Sequence, residues 1–420
     1  MKFPVLSLVA LLPAAVFAAS DFEPAATATN QLGIELFRQV AVTSNGENVL
    51  LSPLSIQSAL AMTYAGAGGD TRAEMARVLH FPADDTPLAA SFHAFLDAMD
   101  VAVKASEART HDGRNMSPLE WHLANRLFGQ TGYAFRPSFL SQVSDSYGAP
   151  LELANFKTAA EPARLRINGW VEEQTHQKIR DLIPPNGLDS STRLVLVNAL
   201  YFKSAWEYSF LPTQTSNRPF LVHGTTTTNL PTMRKNAALF GYAKHDGYTA
   251  VTLPYLGSEL QFLILLPDNP TGLDALVAMV TPALLKDCAT LTAPTQKVNL
   301  FLPKFRLEPP TMPLKTGLLA LGLHSAFDSP PGSANFDRMA PRQPDGNLSI
   351  GAVFHKTFLA LDENGTEAAA ATAVGMMGGA RPQLPPAPPI DVHVDHPFLF
   401  AIQHRESGLC LFLGRVTDPR

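Results

Sequence analysis

The chain has 420 residues, 46% of them hydrophobic and 16% charged, with a formal net charge of -5. Such a composition can bury a large core and excludes a disordered polar chain. A mildly acidic chain without a polybasic run also lacks the electrostatic footprint of a nucleic-acid binder or of a protein held on anionic lipid, so neither nucleic acid nor a membrane is expected as a partner.

Lys2, the apolar stretch Val5 to Val16 and the small residues around Val16-Phe17-Ala18 read as a signal peptide over residues 1–18, cut after Ala18. A secreted or periplasmic protein is therefore expected. No later segment reaches ~18 uninterrupted apolar residues, the length that would suggest a spanning helix. Leu32, Leu36 and Val40 recur at helical spacing. Asn48 to Leu51 reads as a short strand, followed by Ser52 as a helix cap with Pro53 at the first helical position. Ser106 to Ser117 is polar and aperiodic, which predicts a loop. Tyr133–Asp145 and Ala159–Leu182 carry helical patterns. Strand-like runs follow at Leu151–Ala154, Arg193–Phe202, Ala250–Leu253, Leu260–Leu266, Val298–Leu302 and Phe398–Ile402. Helices first and strands later, without regular alternation, predict an α+β fold.

The compositional break lies between Gly378 and Pro389, where Pro382, Pro385, Pro386, Pro388 and Pro389 cluster. Proline cannot donate to a sheet ladder, so this segment is expected to be an extended, exposed loop between strands. Two cysteines, Cys288 and Cys410, do not make a disulfide framework and read as free thiols.

Catalytic signatures are absent: there is no Gly-x-Ser-x-Gly elbow, no His-Glu-x-x-His and no phosphate-cradling glycine loop. His393-Val-Asp-His396 has metal-ligand residue types without a spaced partner set, so a solvated or structural role is expected there. No cofactor or metal is expected. Asn115, Asn347 and Asn364 stand in glycosylation sequons, which match often by chance.

Leu359 to Ala380 carries the informative pattern. The alanines at 368–371 suit a helix. Alternation suits a strand instead, with Thr366, Ala368, Ala370, Thr372, Val374 and Met376 on one face and Glu367, Ala369, Ala371, Ala373 and Gly375 on the other. Gly365 just before it can serve as a hinge. Composition leaves helix and switchable strand both open.

Glu363-Asn-Gly-Thr-Glu-Ala-Ala-Ala-Ala-Thr-Ala closely resembles the hinge of inhibitory serpins. Further blocks in the family's order resemble its second helix (Asn48 to Met62), the central strand of its main sheet (Leu196 to Trp206), and the runs Phe336–Met339, His355-Lys356, Pro397–Phe400 and Phe412–Val416. The resemblance implies one serpin domain over residues 25–420, with three β-sheets, about nine helices and an exposed reactive-centre loop near residues 363–393. It implies a monomeric protease inhibitor rather than an enzyme, whose partner is a serine protease trapped as an acyl-enzyme when the cleaved loop enters the main sheet. Serpin loop insertion is a standard case of strand addition.

By position, the resemblance makes Glu363, Gly365, Thr366, Glu367, Ala368, Ala369, Ala370 and Ala371 the hinge, and Lys304 the partner of Glu363 at the loop base. Ser52, Ser55, Asn198 and His355 match the polar cluster where the main sheet opens, and Trp206 the tryptophan packed near the end of its central strand. The spacing usual in inhibitory members puts the reactive bond at Gly379–Ala380, with Met377 and Arg381 as alternatives. Glycine there suits an elastase-like or subtilisin-like target. A non-inhibitory carrier or chaperone, and a cross-class inhibitor of papain-like cysteine proteases, are the competing readings.

Overall fold

In the computed structural model the described residues are 19–420, apart from 83, 85, 111–115, 294–296, 344–346 and 368–387. They form nine α-helices: α1 (Ala19–Thr43), α2 (Pro53–Ala65), α3 (Gly69–Val78), α4 (Thr86–Thr110), α5 (Pro137–Tyr147), α6 (Phe156–Gln174), α7 (Leu273–Met279), α8 (Pro282–Ala289) and α9 (Lys315–Ala320). Three sheets accompany them, as an α+β chain of this type requires.

A six-stranded sheet runs in the order β1 (Val49–Leu51), β18 (Cys410–Val416), β17 (Phe398–His404), β9 (Leu260–Pro267), β8 (Tyr248–Pro254) and β7 (Gly241–His245). Every residue of β9, β17 and β18 is buried, which explains their mainly apolar sequences. A four-stranded sheet has the order β16 (Ile390–His393), β10 (Val298–Pro303), β6 (Thr226–Ala238) and β5 (Ser216–Val222).

The main sheet has eight strands. Its centre is β4 (Leu194–Ala205), antiparallel to β2 (Glu120–Gln130), which in turn pairs with β3 (Glu152–Ala154). On its other side β4 pairs in parallel with β13 (Ile350–Thr357), from Leu194 to Leu200. Beyond Phe358 the chain continues as β14 (Leu359–Leu361), and here a third strand intervenes: β15 (Gly365–Thr366) lies between β14 and the end of β4. The edge strands are β11 (Phe305–Leu307) against β14 and β12 (Met312–Pro313) against β13.

Both faces of β4 are covered. One faces α2, whose thirteen residues are all buried, as its apolar all-round sequence demands. The other carries Val195, Val197 and Ala199 into a second apolar cluster with Phe156, Ile167 and Val171 of α6. Ser52 caps α2 as its sequence predicts, its Oγ accepting from the Ser55 amide at 3.3 Å with Pro53 next in the chain.

Three local expectations change. The helix expected over 159–182 runs instead from Phe156 to Gln174, and 175–193 is an irregular connector anchored by Asn168, whose side chain donates to the carbonyl and accepts from the amide of Ile183. The stretch from Ser106 to Thr110 is the last part of α4 rather than loop. Ile390–His393, placed at the end of the loop by sequence, is strand β16. The 1–18 segment lies outside the described residues.

Cys288 and Cys410 are free and buried. Burial pushes the Cys288 thiol up to about 12 and raises that of Cys410 as well. In the native protein at pH 8 neither thiol should react with a disulfide reagent over minutes, whereas denaturant should release two equivalents. Rapid modification in the folded state would contradict this packing.

Candidate functional site

The site is built where the main sheet parts. After β14 the backbone turns through Asp362–Asn364, closed by the Asn364 amide donating to Asp362 Oδ1 at 2.8 Å. Trp206, at the end of β4, clamps this turn: its indole Nε1 donates to the Asp362 carbonyl at 3.0 Å and its amide to the Asn364 carbonyl at 2.8 Å. The turn delivers the Glu363 carboxylate to Lys304 Nζ at 2.8 Å and to the Thr215 hydroxyl at 2.7 Å. Burial alone would raise the Glu363 carboxyl, but the Lys304 and Thr215 hydrogen bonds outweigh it and hold the group below the usual carboxylate range.

Gly365 and Thr366 then enter the sheet. A Cβ on Gly365 would meet the Ser204 carbonyl oxygen at 2.0 Å and the Ala205 Cα at 2.7 Å, so only glycine allows this approach. Thr366 is fully buried, and its Oγ1 lies 2.6 Å from the Tyr255 hydroxyl. The Tyr255 ring stacks on Trp206 at 4.7 Å and 11°. Glu367 leaves the sheet with φ +54, its amide held by the Ala360 carbonyl at 2.9 Å. Glu367 Oε1 is 2.5 Å from Lys178 Nζ on the connector after α6, while Oε2 is buried without a hydrogen-bond partner. Ala368, Ala369, Ala370 and Ala371, expected to complete the hinge, and Met377, Gly379, Ala380 and Arg381, expected at or near the reactive bond, lie outside the described residues.

Lower along the same seam a polar rung crosses three strands. Asn125 of β2, Asn198 of β4 and His355 of β13 are register partners. The Ser52 amide donates to His355 Nε2 at 3.0 Å, which leaves Nδ1 as the protonated nitrogen donating to Asn198 Oδ1. Ser55 Oγ donates to the same Asn198 oxygen at 3.1 Å, and Asn125 Nδ2 donates to the Ser55 carbonyl at 3.0 Å. Burial lowers the His355 imidazole to about 3, so it is neutral at physiological pH. Ser52, Ser55, Asn198 and His355 are thus brought together, as are Lys304 and Glu363.

Tyr255, Thr215, Lys178 and Asn125 were not legible as site residues. Thr215 acts through its hydroxyl and Tyr255 through its hydroxyl and its ring, both from segments without a motif, and Lys178 lies in the connector read as helix. Asn125 had an available signal, because an asparagine amid the apolar residues of β2 must find a buried partner. The residues at His393 and His396 do not converge: His393 stacks on Phe301, while His396 bonds to Asp395 and to the Pro267 carbonyl. Among the described residues no three His, Cys, Asp or Glu side chains form a group that could hold a metal.

A family profile described as Serpin (serine protease inhibitor) matches residues 27–419. The chain belongs to the serpin family. Its curated relatives include Serpin B10 of Otolemur garnettii, 36% identical over 94% of this chain and 100% of that protein, and leukocyte elastase inhibitor of Sus scrofa, also 36% identical over 94% and 100%. Among solved structures, uncleaved ovalbumin matches with a TM-score of 0.78 at 28% identity, covering 94% of this chain and 99% of that one. Serpin48 of Tenebrio molitor matches with 0.77 at 30%, covering 94% and 97%. The family comprises protease inhibitors rather than enzymes, and this serpin has its fold of three sheets and nine helices among the described residues.

The relatives overturn one expectation. Serpin B10 and leukocyte elastase inhibitor are intracellular serpins, so the secreted or periplasmic location read from residues 1–18 is not supported. Among the described residues no helix is long and apolar enough to cross a membrane.

Two outcomes follow from the geometry. The unfolded chain takes up a proton on His355 below about pH 6.5, whereas the folded chain does not until about pH 3. His355 should therefore contribute stability that is complete above pH 6.5 and lost on acidification, at about 1.4 kcal/mol per pH unit for each such proton. His404, lowered by burial to about 4, adds to the same slope. Thermal midpoints measured from pH 7 to 4 should fall, and His355→Gln should flatten the fall; an unchanged slope in that variant would contradict a buried neutral imidazole. Lys304→Ala should leave Glu363 without its cation and cost about 1–2 kcal/mol, between the limits for exposed and buried pairs. A denaturation midpoint equal to that of the parent would show the pair to be neutral.

Proposed function

We propose that this serpin inhibits a serine protease by acyl-enzyme trapping with insertion of the cleaved loop between β4 and β13. The observation that carries the reading is the position of Gly365 and Thr366, which already occupy the first two places of that slot beside Ala205 and Ser204. In the proposed reaction the protease serine Oγ attacks the Gly379 carbonyl, an ester forms, and the Gly379–Ala380 peptide bond breaks with the new amine leaving on Ala380. The freed strand then continues the antiparallel register down β4.

Each step along the loop is one step back along β4, so Thr366 beside Ser204 places Met376 beside Leu194, where β4 begins. Thr366, Ala368, Ala370, Thr372, Val374 and Met376 share the core-facing side, and all are small, apolar or hydroxylated. Thr372 would come opposite Asn198, offering a hydroxyl where the imidazole of His355 now binds. The parallel β13–β4 pairing is exchanged for antiparallel pairing on both sides of the new strand, the slightly more stable arrangement per residue. Twelve residues of β4 at about 3.3 Å each amount to a displacement near 40 Å for the acylated end.

Small residues at Gly379 and Ala380, with Met377 nearby, favour an elastase-like or subtilisin-like target, and curated relatives include proteins named leukocyte elastase inhibitor. Glu363, Gly365, Thr366 and Glu367 act as the hinge, with Ser52, Ser55, Asn198 and His355 holding the seam closed until cleavage.

Incubation with subtilisin, pancreatic elastase, chymotrypsin, trypsin and papain, read on denaturing gels, should show a covalent complex with a serine protease and release of a C-terminal peptide starting at Ala380. Thr366→Arg places a charge where the wild-type side chain is fully buried, so the loop should be cleaved without trapping. Complex yield should fall at least ~10-fold, the effect of a 1.4 kcal/mol shift in the partition between insertion and deacylation. Cleavage of the wild-type loop with no complex and no gain in heat stability would favour the carrier reading. A complex with papain alone would favour the cross-class one.

A further inference from the structure

The four-stranded sheet carries a cationic cluster that the loop-insertion chemistry does not use. Phe301 of β10 is in register with His393 of β16 on one side and Arg234 of β6 on the other. The His393 ring lies parallel to Phe301 at 4.3 Å and 4°, the Arg218 guanidinium of β5 sits over the ring at 4.2 Å, and that of Arg234 lies at 5.2 Å. Both arginines are half-buried and roof a phenylalanine that is only 5% exposed. Among the described residues neither guanidinium has a carboxylate within ion-pair distance, and Arg234 Nε is buried without any hydrogen-bond partner. Asp395 stands at the rim of the same small cavity, but its carboxylate holds His396 Nδ1 at 2.7 Å.

Two half-buried guanidinium groups over one ring, without a carboxylate and with Arg234 Nε buried and unsatisfied, leave a hydrogen-bonding and charge demand that contact with the ring meets only in part. Contact with the buried ring also restricts both side chains, so less of their freedom remains to be lost when an anion binds. The reactive loop itself cannot fill the role: residues 368–387 contain Arg381 and no acidic residue. Position favours a partner that grips the loop, because β16 is the strand into which the chain passes after it, beginning at Ile390.

We infer that Arg218 and Arg234, held around Phe301, form a docking surface for an acidic segment of the target protease. The inference rests on the inhibitory reading and adds to it a contact outside the loop, which should act mainly on the rate of association.

The test compares second-order inhibition rates of the wild-type protein, the double variant R218Q/R234Q and the charge-matched control K244Q/K286Q. Subtilisin, pancreatic elastase and chymotrypsin serve as probes across a salt series. For a trapped protease, R218Q/R234Q should slow association by about tenfold at low salt and flatten the salt dependence. The fraction of encounters ending in a covalent complex should stay unchanged, as should the behaviour of the control. R218K/R234K keeps the charges without the planar stack and should restore most of the rate, which separates charge from any loss of folding. Equal rates and salt slopes for wild type and R218Q/R234Q, with every protease that the wild type traps, would refute the docking surface and leave the inhibitory reading intact. No trapping by the wild type would overturn both. Arginine-dependent binding of a heparin oligosaccharide, with protease rates unaffected, would assign the surface to a polysaccharide instead and overturn the proposal.

Discussion

The structure turns on how β4 satisfies one of its two edges. A central strand must have its amide and carbonyl groups paired on both sides, because an orphaned buried backbone group costs about as much as a lost hydrogen bond. On the β2 side β4 is paired from Leu194 to Lys203 without interruption. On the other side the pairing is divided: β13 covers Leu194 to Leu200 in parallel, and β15 covers Ser204 and Ala205 antiparallel. The same edge thus carries two partners of opposite sense that meet in one seam. Only Tyr201, Phe202 and Lys203 separate the two registers, so growth of β15 beyond them would displace β13.

The side chains along that seam hold it without sealing it. Tyr255, Trp206 and the Thr366 hydroxyl fix the upper end through stacking and hydrogen bonds, and the rung of Asn125, Asn198 and His355 fixes the lower end. Apart from the Tyr255–Trp206 stack, these contacts are polar and specific. An interdigitated apolar seam would pack more tightly, but parting it would expose apolar surface with nothing of the same shape to refill it. Asn198 Nδ2, buried and without a partner, marks the place where the rung is incomplete.

How much of this could be read beforehand depended on whether a residue's role was local. Ser52 with Pro53 announces a helix start through chain-neighbour geometry alone, and α2 begins there. The alternation after Gly365 is likewise a local pattern, but only Thr366 of it lies in the sheet among the described residues; Glu367 turns out of the sheet with φ +54. The connector after α6 misled because Ile179, Leu182 and Ile183 keep an apolar rhythm for another reason: they pack on the outer face of the main sheet without being helical. Strand β2 escaped notice because its first half is partly open to solvent, with His122 exposed, and its buried half carries Asn125 and Gln130, so no clean alternation or apolar run marks it. The export reading rested on a charge-then-apolar order in residues 1–18, a compositional cue with no packing behind it. Partners such as Tyr255 for Thr366, 111 residues apart, depend on tertiary geometry that no local pattern encodes.

That connector also bears on how the seam is kept shut. The apolar cluster beneath α6 includes Val195, Val197 and Ala199 of β4 together with Phe354 of β13 and Phe358 just after it, so the helix and its connector lie across the line along which the two strands meet. Lys356 Nζ donates to the Arg180 carbonyl at 2.7 Å, and Lys178 pairs with Glu367 at the hinge. On the proposed reading, a strand entering between β4 and β13 would change the spacing under α6 and its connector, which pack on both strands. The connector is suited to such a movement. His176, Gln177 and Asp181 all have positive φ, a conformation that costs of order 1–3 kcal/mol at a non-glycine residue and persists only while its surroundings impose it. The Lys178–Glu367 pair ties the strained connector to the first residue that must turn from left-handed into extended backbone as the strand grows. On the insertion reading proposed above, movement of the hinge and of the connector would be coupled through this ion pair.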